Sequence, residues 1–92
     1  MNIINDTLFL EDISVETLMQ EYGSPLYVYE ESVLRSQFRQ LSSGFPEGLL
    51  EIHYSMKANS NPSLLKILRE EGSSIDAVSE FEVRLALESG FE

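Results

Sequence analysis

Apolar positions recur along this chain first at helical and then at strand-like spacings. Ser14, followed by Val15, Leu18, Met19 and Tyr22 at i, i+3, i+4 and i+7, predicts a helix over 14–22 that is capped by Ser14 and stopped by Gly23. Pro25-Leu26-Tyr27-Val28-Tyr29 is a short β-rich run. Leu34, Phe38, Leu41 and Phe45 form one stripe and predict a second helix from about 32 to 42, closed by a turn over 43–48. Residues 49–57, Leu-Leu-Glu-Ile-His-Tyr-Ser-Met-Lys, read as a strand. Asn61-Pro62 then opens a helix, with proline at the first helical position, where its missing N–H costs nothing. That helix carries Leu64, Leu65, Ile67 and Leu68 and stops at Gly72. Residues 74–78 read as another strand, and Ser79 begins a last helix with Phe81, Leu85 and Ala86, ended by Gly90.

The two strands lie roughly 20–25 residues apart with a helix between them, which is the βαβ pattern of parallel sheets and barrels. Repeated strand–helix units of this size build a (β/α)8 barrel. Two strands cannot close one. The expected fold class is therefore α/β, the N-terminal part of a TIM barrel that is incomplete in this chain. Residues 31–92 supply its first strand–helix units, and 1–30 form a separate N-terminal helix and strand.

Composition narrows the partners. Of 92 residues, 16 are acidic and 6 basic, a formal charge of −10. Phosphate binding needs a clustered basic face, so nucleic acid is disfavoured, as is an anionic membrane surface. The longest apolar run is four residues, Leu26 to Tyr29, too short to span a bilayer. The N-terminal Met-Asn-Ile-Ile-Asn-Asp has no basic and apolar signal pattern. There is no cysteine, hence no disulfide, no thiolate metal site and no cysteine nucleophile, which fits a cytoplasmic location.

The chain has two lysines. Lys66 falls on the solvated face of an amphipathic helix. Lys57 ends a core strand just before a loop, where barrel enzymes place catalytic groups. Alternation puts Ser55, His53 and Glu51 on the face of Lys57 and Met56, Tyr54 and Ile52 under the helices. Lys57 would then point into the barrel mouth, where a partly desolvated amine can act as a nucleophile. On pattern alone, a strand-end lysine reaching into water is the simpler reading. His53, deeper on the same face, reads as a satisfied interior polar residue. A lone histidine without cysteines is a poor metal site, and none is expected.

Tyr54-Ser55-Met56-Lys57-Ala58-Asn59-Ser60-Asn61-Pro62 resembles the pyridoxal-phosphate lysine motif of the fold-type III decarboxylases, the ornithine/diaminopimelate/arginine decarboxylase family. Gly23-Ser24-Pro25-Leu26-Tyr27-Val28-Tyr29-Glu30 is similar to that family's N-terminal Gly-Thr-Pro-Leu-Tyr-Val-Tyr-Asp stretch. Asp76-Ala77-Val78-Ser79-Glu80-Phe81-Glu82 is similar to its Asp-Val-Val-Ser-Gly-Gly-Glu segment, with Glu80 and Phe81 in the places of the glycines. Three motifs in the family's order and spacing make a strong match.

The resemblance implies an alanine-racemase-like barrel, pyridoxal 5'-phosphate as cofactor, and an amino acid as the small-molecule substrate. Lys57 would hold the cofactor covalently, and Asp76 and Glu82 would lie in or beside its pocket. Glu82 has a second reading: Ser79-Glu80-Phe81-Glu82 fits a capping box, in which Glu82 returns a hydrogen bond to the Ser79 backbone. Asp76 could instead cap a loop. Asn59 and Ser60 read as loop geometry. The run after Lys57 looks closest to diaminopimelate decarboxylases, with other basic amino-acid or polyamine-pathway decarboxylases as alternatives. An alanine-racemase-type enzyme fits less well after Lys57-Ala58-Asn59. A non-catalytic cofactor-binding barrel and an acidic α/β module with accidental matches complete the field.

The five glycines, at 23, 44, 48, 72 and 90, are isolated, so none forms a phosphate cradle. By the resemblance, that cradle, the partner of the pyridinium nitrogen and a second, β-rich domain come later in sequence, residues 1–30 join that domain, and the whole enzyme is a homodimer. The 92 residues alone are expected not to decarboxylate.

Overall fold

The computed structural model describes residues 1–92, which divide into two compact units, Met1–Val33 and Leu34–Glu92. The first unit holds an antiparallel sheet that the hydrophobic pattern did not reveal. Its strands are β1 (Asn2–Ile4), β2 (Thr7–Leu10) and β3 (Ile13–Ser14), in that order. Ile4 pairs with Thr7, so Asn5 and Asp6 form a two-residue turn, with φ of 51° and 61°. Such turns need left-handed backbone at both positions, which asparagine and aspartate tolerate better than most residues.

Helix α1 (Val15–Tyr22) follows directly, close to the expected bounds. The Ser14 side chain accepts from the Thr17 N–H at 3.1 Å. Gly23, at φ 80°, donates its N–H to the Met19 carbonyl at 2.9 Å and ends the helix. Val15 and Leu18 are half-buried, whereas Met19 and Tyr22 are exposed. The β-rich run at Pro25–Tyr29 forms no strand, and Tyr27 is 91% exposed. The three strands of this unit pair among themselves, so the run joins no ladder. Two glutamates tie the segment down instead. Glu30 Oε2 accepts from the Met1 amino group at 2.9 Å and from the Glu11 N–H at 3.1 Å. Glu11 Oε1 in turn accepts from the Ser32 N–H at 2.9 Å, in the first turn of α2 (Glu31–Ser43). These bonds hold both carboxyls below the usual glutamate range: Ser32 chiefly for Glu11, the amino terminus chiefly for Glu30.

The second unit contains the expected βαβ element: β4 (His53–Ser55), α3 (Pro62–Glu70) and β5 (Ser74–Asp76), followed by α4 (Glu80–Glu88). The strands are parallel, with His53 opposite Ser74, Tyr54 opposite Ile75 and Ser55 opposite Asp76. β4 is much shorter than the 49–57 run suggested. β5 offers three residues for pairing, so Leu49 and Leu50 have no ladder partner and remain exposed. One further bond flanks each end, from Ser74 N–H to Ile52 O at 2.8 Å and from Met56 N–H to Asp76 O at 3.2 Å.

The alternation read from the sequence holds. Met56 is 1% exposed and packs with Leu65, Ala86 and Phe91, while Tyr54, Ile75, Ala77 and Leu85 pack against that cluster. Leu64, Leu65 and Leu68 are the buried face of α3. Phe81 departs from expectation, standing 70% exposed on α4, whose one buried residue is Ala86. Gly90, at φ 96°, ends this region where an added Cβ would lie 2.8 Å from Arg69 Nε. A substitution there meets both backbone strain and a close neighbour.

Helix α2 meets the C-terminal end of α3 through charge. Arg35 reaches Glu70 Oε2 at 2.6 Å, and Arg39 holds both oxygens of Glu71, at 2.7 and 3.0 Å. Two carboxylates at a helix C-terminus oppose the helix dipole, and the arginines offset this. The Arg35 hydrogen bond draws the Glu70 carboxyl below its ordinary 4.5. A depressed folded-state pKa contributes stability at neutral pH that fades as pH falls from about 4.5 through the folded value. Glu70→Gln should therefore flatten the fall of the melting temperature in that acid window. A melting profile as steep as that of the parent would remove Glu70 from the account.

Candidate active site

The site is built around a turn that follows β4. Lys57 sits within that turn, over residues 56–58, rather than at the strand end itself. Its backbone is fixed on both sides. Met56 immediately before it is buried in the core, and the Met56 N–H joins the ladder to Asp76 O. The Ala58 N–H closes the turn onto Ser55 O at 3.2 Å. Asn59 Oδ1 accepts from the Asn61 N–H at 2.9 Å, and Asn61 Oδ1 accepts from the Ser63 N–H at 2.9 Å, capping α3. Asn59 thus shapes the loop by side-chain hydrogen bonding, without the left-handed backbone that asparagine can adopt. The Lys57 side chain is exposed and belongs to no ion pair.

Asp76 ends β5 opposite Ser55, so both strands deliver their C-terminal ends to one edge of the sheet, beside the Lys57 turn. Its carboxylate is exposed. The backbone of Asp76 has a defined role as acceptor for Met56, which the sequence did not suggest. Glu82 lies in the first turn of α4 and is half-buried. Ser79 Oγ accepts from the Glu82 N–H at 3.1 Å, the first half of a capping box. The reciprocal bond differs from expectation, because Glu82 Oε1 accepts from the Val78 N–H at 3.2 Å, one residue upstream of Ser79. Ser79 is extended, at φ −144° and ψ 161°, and the carboxylate bonds to the N–H just before it. The Ser79 cap contributes about 1 kcal/mol to α4.

His53 is a correction. It is exposed, with Nε2 3.1 Å from Glu51 Oε1, and is not an interior residue. The face that would line a barrel interior has no opposite wall within a two-stranded sheet. Tyr54 has a role that the sequence pattern does not show. Alternation assigned it to the apolar face, yet its hydroxyl donates to Asn59 O at 2.7 Å. The signal was a tyrosine, with its polar tip, in an otherwise greasy row.

Comparison with known proteins places this geometry. Residues 31–92 match the family model described as "Pyridoxal-dependent decarboxylase, pyridoxal binding domain". A diaminopimelate decarboxylase of Aquifex aeolicus is 42% identical over 83 residues, covering 90% of this chain and 19% of that protein. One from Methanothermobacter thermautotrophicus is 44% identical over 77 residues, covering 82% and 18%. A crystal structure of an Aquifex aeolicus protein superposes with a TM-score of 0.89 at 38% identity, covering 98% of this chain and 22% of that one. The chain therefore spans about one fifth of the length of the relatives it matches. Its α/β architecture is the first part of the alanine-racemase-like barrel. With the matched segment running from the start of α2 through α4 and enclosing the Lys57 turn, this chain belongs to the pyridoxal-dependent decarboxylases, within their pyridoxal binding domain.

Proposed function

We propose that this chain carries the cofactor-anchoring lysine of an amino-acid decarboxylase that converts meso-diaminopimelate to L-lysine and carbon dioxide. The observation that carries the reading is the exposed Lys57 amine on a pinned turn, at the C-terminal ends of two parallel strands. A primary amine outside every ion pair is the donor that an aldehyde cofactor requires, so the residues present fit a pyridoxal group at this point. The names of the relatives support the choice of substrate.

The chemistry supplied by bound pyridoxal 5'-phosphate is an electron sink for the pair left at the substrate Cα as carbon dioxide departs. Lys57 Nζ would hold the cofactor covalently, and as a free amine it would move a proton at the substrate Cα. The turn bonds hold the Lys57 backbone in place throughout. Asp76 lines the same edge and sets negative charge there, and Glu82 fixes residues 78–82 through Val78 and Ser79. The reading extends to the rest of the protein: residues 1–30 join a second domain, and the active form is a cytoplasmic homodimer.

Product analysis of the intact polypeptide with meso-diaminopimelate, ornithine and arginine tests the substrate. Lysine and carbon dioxide from the first are expected. Turnover of ornithine or arginine alone would transfer the reading to another decarboxylase of the family.

A further inference from the structure

Tyr54 spans the whole Lys57 turn. Its ring packs against the Met56–Leu65–Ala86–Phe91 cluster, and its hydroxyl donates to the Asn59 carbonyl at 2.7 Å, in a partly buried setting. The bond runs from the residue three before Lys57 to the residue two after it. The turn is otherwise closed by the longer Ala58 N–H to Ser55 O bond, at 3.2 Å. An aromatic ring packed on the core therefore ties down the loop two residues after Lys57.

We propose that Tyr54 is a positioning residue for Lys57: its hydroxyl, through Asn59, sets the turn that presents the amine to an aldehyde. It touches no reacting atom. This inference rests on the assignment of Lys57 as the cofactor lysine. Tyr54→Phe keeps the packed ring and removes the hydroxyl with its bond to Asn59.

The test is made in the intact polypeptide that carries these residues, with pyridoxal 5'-phosphate as the probe. Three quantities are measured: the dissociation constant from imine absorbance, the site of borohydride-reduced label by peptide mapping, and the thermal midpoint. Tyr54→Phe should weaken imine formation about five- to tenfold, in line with one lost hydrogen bond. It should lower kcat more than it raises KM, and the label should stay on Lys57. Ile75→Val trims a side chain packed on the same cluster without touching the hydroxyl. It should lower the thermal midpoint and leave imine formation unchanged. An unaltered imine constant in Tyr54→Phe, with label on Lys57, overturns this inference alone. An equal loss in Ile75→Val also overturns it, since core packing would then explain the effect. A parent label on another residue overturns the Lys57 assignment, and this inference with it.

Discussion

Lys57→Ala in the intact polypeptide is expected to abolish the imine absorbance and to lower turnover on the order of 10^3-fold or more, since on the proposed function one side chain would both anchor the cofactor and move the proton. Its surroundings make this a sharp experiment. The turn is held by backbone and neighbouring side chains that alanine leaves untouched. Lys66, the other lysine, lies exposed on α3, and Lys66→Ala should leave both readings as in the parent. Retention of imine absorbance in Lys57→Ala, or its loss in Lys66→Ala, would place the anchor elsewhere.

Leu65→Ala is expected to unfold the α/β unit of the 92-residue chain. Leu65 is fully buried at the centre of the one substantial core, against Met56, Ala86 and Phe91. Truncating such a residue costs about 2–5 kcal/mol through lost transfer energy and the cavity left behind. A unit the size of Leu34–Glu92 has a stability margin of similar size, about 3–5 kcal/mol. Leu49, by contrast, is 74% exposed, and Leu49→Ala should change stability by less than about 0.5 kcal/mol. Circular dichroism during urea titration compares the two. Equal midpoints would show that Leu65 is not at the centre of the fold.

The helices were legible because their ends are written in side chains. Ser14, Asn61 and Ser79 cap α1, α3 and α4 through their own oxygens, and Gly23 stops α1 with left-handed backbone. These are local devices, visible at single positions. The strands were less legible because pairing is not local. The apolar run from Leu49 suggests a long strand, but only His53–Ser55 has a partner in β5. Pro25–Tyr29 has strand composition and no edge to join. The β1–β2 hairpin went unread because its turn, Asn5-Asp6, lacks the glycine that usually marks one.

The same division runs through the site. The burial of Met56 beside Lys57 was legible from alternation. The setting of Lys57 was not. Tyr54 reaches Asn59 across five residues, and Asp76 serves Met56 through its backbone, which leaves no trace in residue type. Glu82 was readable as a cap partner, but its carboxylate accepts from the Val78 N–H rather than from that of Ser79.

Borohydride reduction of the cofactor-loaded intact polypeptide, followed by peptide mapping, decides whether Lys57 is the anchor. A single pyridoxyl adduct is expected, on Nζ of Lys57 in the peptide that contains Met56 and Ala58. An adduct on any other side chain, or none after loading, would contradict that assignment.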